Sequence, residues 1–308
     1  MTRIILVTSI YGTPLSFFIN CLHSVMKLIN LRFHKIEIMW VLIIDGDKRQ
    51  IEEVIECECY RLYKTMPQII RLEENIGLAA ARNKACQSFN ADYFGWIDAD
   101  DSLILPEYIK FVTISLQISA DQHSTMIYFS DSYDCDENLN ILNRREKSLL
   151  WSNHIKYKGT KNDSLAFVDF VYQCQLVRAD VFATVGGFTE NILGEDVDLL
   201  LKIIRLDEEP NIMYVPFAPY LYRLNKEGIC ENRWDELCAS MENIFQRHAN
   251  SWANEKLMFR YAGNYISTFT DKLMLSKQEK LSSLSTCLFD VYLPIDAKDF
   301  WPDFLEKK

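Results

Sequence analysis

Four times in its first hundred residues the chain passes through an apolar run of strand length and breaks at a polar turn. After each of the first three runs it resumes with apolar residues at helical spacing. Ile4–Ser9 ends at Tyr11-Gly12, where Thr13-Pro14 reads as an N-cap with proline in the first helical position. Phe18, Leu22, Val25 and Ile29 then mark one helix face. Ile38–Ile44 closes at Asp45-Gly46-Asp47, a helix is predicted over Ile51–Tyr63, and Gln68–Leu72 is a third strand. Gly77 opens a helix striped by Leu78, Ala81, Ala85 and Phe89, and Tyr93–Ile97 is the fourth strand. Such alternation with short turns predicts an α/β domain with a mostly parallel sheet flanked by helices. Ligands of open parallel sheets sit beyond the carboxyl ends of the strands. That edge carries Tyr11, Asp45 and Asp98.

The second half has another texture. Met126–Ser130, Val171–Val177 and Ile212–Val215 read as strands, Asp134–Asn143 as a polar hairpin turn, and Trp151–Ser164 as a polar excursion. Gly186-Gly187-Phe188 is a tight turn, and Gly194-Glu195-Asp196 precedes a helix with Val197, Leu200, Leu201 and Ile204 on one face. From Trp234 onward the pattern is helical, so a boundary is placed near residue 230: residues 1–230 form the α/β domain and 231–308 a mainly helical extension.

Composition narrows the function classes. With 308 residues and a net charge of −10, the chain lacks the basic footprint that nucleic-acid binding requires. Nine scattered cysteines, with Cys57 and Cys59 the one close pair, match no zinc spacing and read as reduced thiols in a cytoplasmic protein. No run approaches the ~20 apolar residues of a membrane span, which leaves contact with a membrane through a partner or surface.

Three constellations carry chemistry. The buried run YFGWI ends in Asp98, Asp100 and Asp101, and carboxylates that close repel each other. Hard oxygen ligands at a crevice edge suit Mg²⁺ or Mn²⁺ completed by phosphates and water; a solvated polar turn is the plain alternative. In Asn75-Ile76-Gly77-Leu78-Ala79-Ala80-Ala81-Arg82-Asn83, Gly77 and the helix start can approach a ligand while Arg82 offers its fork to a base or phosphate. As a plain helix start, the same string would make Arg82 a surface cation. Glu195 and Asp196, after a glycine turn, are either partners of the helix dipole or the source of a general base.

Taken in order, Tyr11, Asp45-Gly46, the N-x-G-L-A-x-A-R-N string, D-x-D-D at 98–101, G-G-F at 186–188 and G-E-D at 194–196 resemble the family 2 glycosyltransferases, inverting enzymes of the GT-A fold. The resemblance spans roughly residues 3–225 and implies the roles that follow. Tyr11 and Asp45 line the nucleotide-base pocket, and Arg82 meets the base or its phosphates. Asp98 meets the ribose or the donor sugar. Asp100 holds a divalent cation bridging the diphosphate, with Asp101 a second ligand or a sugar contact. Asp196 takes the proton of the acceptor hydroxyl while Glu195 orients the acceptor. The expected activity is hexosyl or N-acetylhexosaminyl transfer from a UDP-sugar to a glycan or lipid-linked acceptor in surface polysaccharide synthesis, in the cytoplasm or at the inner face of the membrane. The last eighty residues would serve as acceptor platform, membrane contact or dimer interface. Two departures stand out. The string after the second strand, Ile44-Asp45-Gly46-Asp47, is one acid short of the family's D-D-G-S. Tyr222-Arg223-Leu224-Asn225 lacks the family's histidine, leaving Asn225 or Lys226 to meet the diphosphate, or the metal to rest on aspartates and water.

Other readings want other residues. A dinucleotide dehydrogenase needs G-x-G-x-x-G after the first strand, and a nucleotide-sugar pyrophosphorylase a glycine-rich loop there; SIYGTPLSFF has neither. The alternative from another class is a catalytically silent nucleotide-sugar-binding subunit of a polysaccharide assembly complex. The histidines read as structural or surface groups, and Trp151, Tyr157 and Trp234 as candidates to stack on an acceptor sugar.

Overall fold

Nine consecutive residues, Thr2–Ile10, form the first strand, β1, and they set the layering of the whole domain. Successive side chains of a strand face opposite sides, and both sides of β1 are dry. Ile4, Leu6 and Ile10 join Trp40, Leu42 and Ile44 of β2 (Ile36–Asp45) in one continuous core. The helices α1 (Leu15–Ile29), α2 (Ile51–Leu62) and α4 (Leu105–Asp121) cover that side with Phe18, Leu22, Val25, Ile55, Phe111 and Val112. On the other side Ala81 and Ala85 let α3 (Leu78–Ser88) settle closely on β1 and β2. One buried polar pair interrupts the apolar layer and is satisfied: Trp40 Nε1 donates to Thr8 Oγ1 at 3.0 Å.

The computed structural model describes residues 1–33, 35–63, 65–121, 125–145, 175–206, 212–225 and 232–249. Its main sheet has seven strands. β3 (Gln68–Leu72), β2, β1 and β4 (Tyr93–Trp96) run parallel in that order. β9 (Gln175–Arg178) comes next, antiparallel to β4 and to β6 (Ile127–Phe129), and β10 (Ile212–Tyr214) lies beyond β6. A second sheet has the order β5 (Ser102–Leu103), β11 (Tyr220–Arg223), β7 (Ser132–Cys135) and β8 (Ile141–Arg145). The short α5 (Ala179–Thr184) and α6 (Glu195–Ile204) complete the part that bears the site.

The chain divides into two compact units, Met1–Arg233 and Trp234–Lys308. In the second, the helix α7 (Trp234–Ala249) buries Leu237, Met241 and Ile244 along one stripe. Most of the extension, the Trp151–Ser164 excursion, Tyr157, Lys226, His34, His123 and His154 lie outside the described residues, as does the side chain of Trp234.

Several expectations are sharpened. Thr13 does not cap α1. Pro14 occupies the cap position, its carbonyl takes the first helical N–H groups, and no side chain caps the end. The turn is tied from outside instead: Asp47 accepts from Gly12 N, and Arg49 donates to the carbonyl of Thr13. The 134–143 turn closes the hairpin of β7 and β8, with Asp136 Oδ1 accepting from the N–H groups of Asn138 and Asn140. Of the strand expected over Val171–Val177, the described part is β9. The helix α4 and the strands β5 and β11 were not anticipated. Five described cysteines, Cys21, Cys57, Cys59, Cys86 and Cys135, are free thiols. His23 sits between the Tyr63 hydroxyl and Glu58. No described helix is long and apolar enough to cross a membrane.

Candidate active site

The carboxyl edge of β1, β2 and β4 gathers the predicted residues, and it uses its acids in two ways. Asp45, at the end of β2, is buried and fully engaged. Its carboxylate accepts from Asn75 Nδ2 at 2.9 Å, Ile76 N at 2.8 Å and Gly77 N at 3.1 Å. It therefore holds the 75–77 turn from which α3 starts, with Gly77 at the cap position. Gly46 makes that seat possible. Its φ is +71°, and a Cβ there would stand 2.2 Å from Asn75 N, a contact no side chain tolerates. Asp47 is buried against Arg49, and the hydrogen bonds from that guanidinium hold its carboxyl down to about 2. Tyr11, by contrast, is 60% exposed beside these turns, open to a ligand.

The second group of acids follows β4. Asp98, Asp100 and Asp101 form a tight turn in which Asp101 N donates to the carbonyl of Asp98. Asp98 Oδ1 accepts from Arg82 Nη2 at 2.5 Å, and the Tyr220 hydroxyl accepts from Asp98 N at 3.1 Å. Asp101 is buried and its Oδ1 accepts from Arg223 N at 2.7 Å, a bond that fastens the turn to β11. Its Oδ2 is buried without a hydrogen bond of ordinary length, beside the Tyr220 side chain. Burial first, and then Asp100 and Asp98, push the Asp101 carboxyl well above the usual range. Asp100 is half-buried beside Asn225, and burial together with Asp98 raises it to about 6. Arg223 braces the turn from below: its Nε donates to the carbonyl of Asp100 at 2.7 Å, and its Cζ lies 4.1 Å from the centre of the Phe17 ring.

The third group, at the start of α6, comes against the second. Gly194 takes the left-handed cap conformation, so Glu195 and Asp196 fall in the first turn, where the helix dipole favours negative charge. Glu195 is buried and accepts from Arg82 Nη1 at 3.0 Å. Asp196 is half-buried, and its Oδ1 accepts from Val197 N at 2.8 Å. Burial first, then Glu195, raise its carboxyl to about 7. A carboxyl there is divided between its two protonation states at neutral pH, as a general base should be.

Arg82 is expected to meet a base or phosphate. In the structure it is 7% exposed and its fork is spanned by Asp98 and Glu195. Asp45, expected in the base pocket, gives its oxygens to the Asn75 side chain and to the amides of Ile76 and Gly77. Two contributors were not singled out. Asn83 brackets the G-G-F turn, accepting from Phe188 N at 2.9 Å and donating to its carbonyl at 2.9 Å. Arg223 lies in the Tyr222-Arg223-Leu224-Asn225 string that lacks the family's histidine.

No three His, Cys, Asp or Glu side chains among the described residues come close enough together to hold a metal ion. The donors present do fit an ion held by one or two carboxylates and completed by phosphates and water, which is the habit of Mg²⁺. Asp100, half-exposed with its charge disfavoured, is the protein ligand such an ion would find; buried Asp101 stands behind it.

The model of glycosyl transferase family 2 matches residues 6–186, well over half of the chain. The chain belongs to glycosyl transferase family 2. This family 2 glycosyltransferase is 21% identical over 244 residues to the teichoic acid poly(glycerol phosphate) polymerase of Staphylococcus epidermidis, a match covering 72% of the chain. It spans only 32% of that relative's length. Among solved structures it resembles residues 1–349 of S. aureus TarS in complex with UDP-GlcNAc, with a TM-score of 0.64 at 14% identity, over 95% of this chain and 82% of that one. The same TarS segment in complex with UDP matches at a TM-score of 0.61 and 15% identity, over 98% and 78%. At that identity the likeness establishes the fold, which is GT-A.

Proposed function

We propose that this glycosyltransferase moves a sugar from a UDP-sugar donor to a hydroxyl of a glycan or lipid-linked acceptor, with inversion at the anomeric carbon, during surface polysaccharide synthesis. Residues 1–230 form the transferase domain in this reading and 231–308 an extension for acceptor, membrane or second subunit. The nucleotide and acceptor classes draw support from the UDP-GlcNAc and UDP bound to TarS and from the teichoic acid polymerase. In this reading the reaction runs in the cytoplasm or at the inner face of the membrane.

The observation that carries the reading is Asp196. One of its oxygens is held by Val197 N, no hydrogen bond among the described residues claims the other, and its carboxyl titrates near neutrality. It accepts the proton of the acceptor hydroxyl as that oxygen bonds to the anomeric carbon and the bond from that carbon to the diphosphate breaks. The bonding pair leaves with UDP. One base suffices, since a single displacement inverts the centre; a retaining hydrolase would need a second carboxylate ~5 Å away. Tyr11 offers a face to the base, the backbone of the turn that Asp45 holds shapes the pocket, and Asp98 meets the ribose or the donor sugar. Asp100, with Asp101 bracing the turn, would hold Mg²⁺ or Mn²⁺. The ion supplies charge to stabilise the departing diphosphate.

UDP release from a panel of UDP-sugars, with Mn²⁺ and with water or glycan acceptors, tests the reading. Turnover in the native protein and a loss of about 10³-fold in Asp196→Asn, with UDP affinity kept within about threefold, are expected. Normal turnover in that variant removes the base assignment. UDP-sugar binding with no turnover at all would favour the silent subunit.

A further inference from the structure

Two neighbouring residues of α3 reach across to the segment that carries the base. Arg82 donates from Nη2 to Asp98 and from Nη1 to Glu195, and its Cζ lies 5.6 Å from the centre of the Phe188 ring. Asn83 pairs with both backbone groups of Phe188 and donates to Glu190. The seat is close: a Cβ on Gly187 would fall 2.6 Å from Asn83 Oδ1. We propose that Arg82 is a positioning residue that ties the donor-side Asp98 to the acceptor-side Glu195 and thereby fixes where Asp196 stands relative to the donor.

The charges require such a tie. The groups that face Asp196 are Glu195 on its own helix, Arg82 on α3 and Asp98 at the end of β4. Three carboxylates converge there around one buried guanidinium. Without it they would repel, and the first turn of α6 would move away from the end of β4. A planar fork suits the task, because two carboxylates from separate elements can be held at once in fixed directions. Both Nη atoms are engaged, so a phosphate could reach Arg82 only by displacing an acid. The same cation also works against the protonation of Asp196 that burial and Glu195 promote.

The proposal rests on the reading of Asp196 as the base, yet it can be tested apart from it. The protein is labelled with ¹³C at the aspartate carboxyls, and Asp196 is assigned by the signal that vanishes in Asp196→Asn. The native signal is expected to titrate at about 7. Arg82→Met should move the midpoint up by about one unit, and Glu195→Gln should move it down by about as much, since a unit is what a near charge supplies. Arg82→Lys, which keeps the charge but loses the fork, should fall between native and Arg82→Met. If Arg82→Met does not fold, the opposite displacements in Arg82→Lys and Glu195→Gln carry the test. UDP affinity in the presence of Mg²⁺, read by calorimetry, should stay within about threefold in Arg82→Lys. An unmoved Asp196 midpoint in the Arg82 variants, or a tenfold loss of UDP affinity in Arg82→Lys, overturns the proposal. Full turnover by Asp196→Asn would refute the base and leave these shifts in place.

Discussion

The turn after β2 and the turn after β4 both end a buried parallel strand in aspartates, and they treat them in opposite ways. Around Asp45 and Asp47 the carboxylate oxygens are met by N–H donors or by a guanidinium, and the Asp47 carboxyl is held at about 2. Around Asp100 in the turn after β4, and around Asp196 in the first turn of α6, burial and then a neighbouring carboxylate outweigh the few donors, and the carboxyls rise to about 6 and about 7. One residue type thus serves as bracket or, in the proposed mechanism, as reagent, according to the balance between burial and hydrogen bonding. A satisfied acid shapes backbone; an under-satisfied one is ready to take a cation or a proton.

The sharpest way to break this contrast is Asp100→Asn. Donor affinity that depends on a divalent ion should fall tenfold or more, roughly 1.4 kcal/mol per decade, as seen by titrating UDP with and without Mn²⁺. Equal affinities in the native protein would remove the cation role. Gly46→Ala probes the bracket. The added methyl forces apart the Asp45 seat and the 75–77 turn, so stability should fall by about 3 kcal/mol in urea unfolding.

Asp196→Asn should do the reverse and stabilise the protein. The unfolded carboxyl ionises near 3.8 and the folded one near 7, so the native protein pays an increasing penalty as pH rises through that interval. The variant's gain should appear above about pH 4, level off above about 7 and reach about 1–2 kcal/mol, read as unfolding midpoints at pH 4 and pH 8. Asp47→Asn should have the smallest effect and the opposite sign. The Asp47 carboxyl is depressed from 3.8 to about 2, so its contribution is complete above about pH 4 and vanishes as pH falls through about 2. Because Arg49 is 37% exposed, water screens the pair and the loss at pH 7 should be about 1 kcal/mol.

Long local patterns made much of this legible. The first four strands and the three helices between them follow from periodicity, and the acids at the strand ends follow from where the runs stop. What stayed hidden depends on partners far along the chain. Arg82 meets a carboxylate 113 residues away, and Asp101 meets a backbone amide 122 residues away. No spacing in the sequence tells a bracing acid from a reacting one in such cases. The helix α4 escaped because Ile109, Phe111, Val112, Ile114, Leu116 and Ile118 spread its apolar residues around the barrel of the helix instead of along one stripe. With two and four residues, β5 and β11 are too short to show alternation.

The position of β9 has a consequence for synthesis. It is the wedge between β4 and β6, and it leaves the ribosome roughly eighty residues after the first of them and fifty after the second. Until it arrives, two hydrophobic strand borders stand open on the nascent polypeptide, each a template for the wrong neighbour. Assembly of the main sheet therefore waits on a four-residue segment, and a chain cut short before Arg178 would carry the donor-side acids on half a sheet.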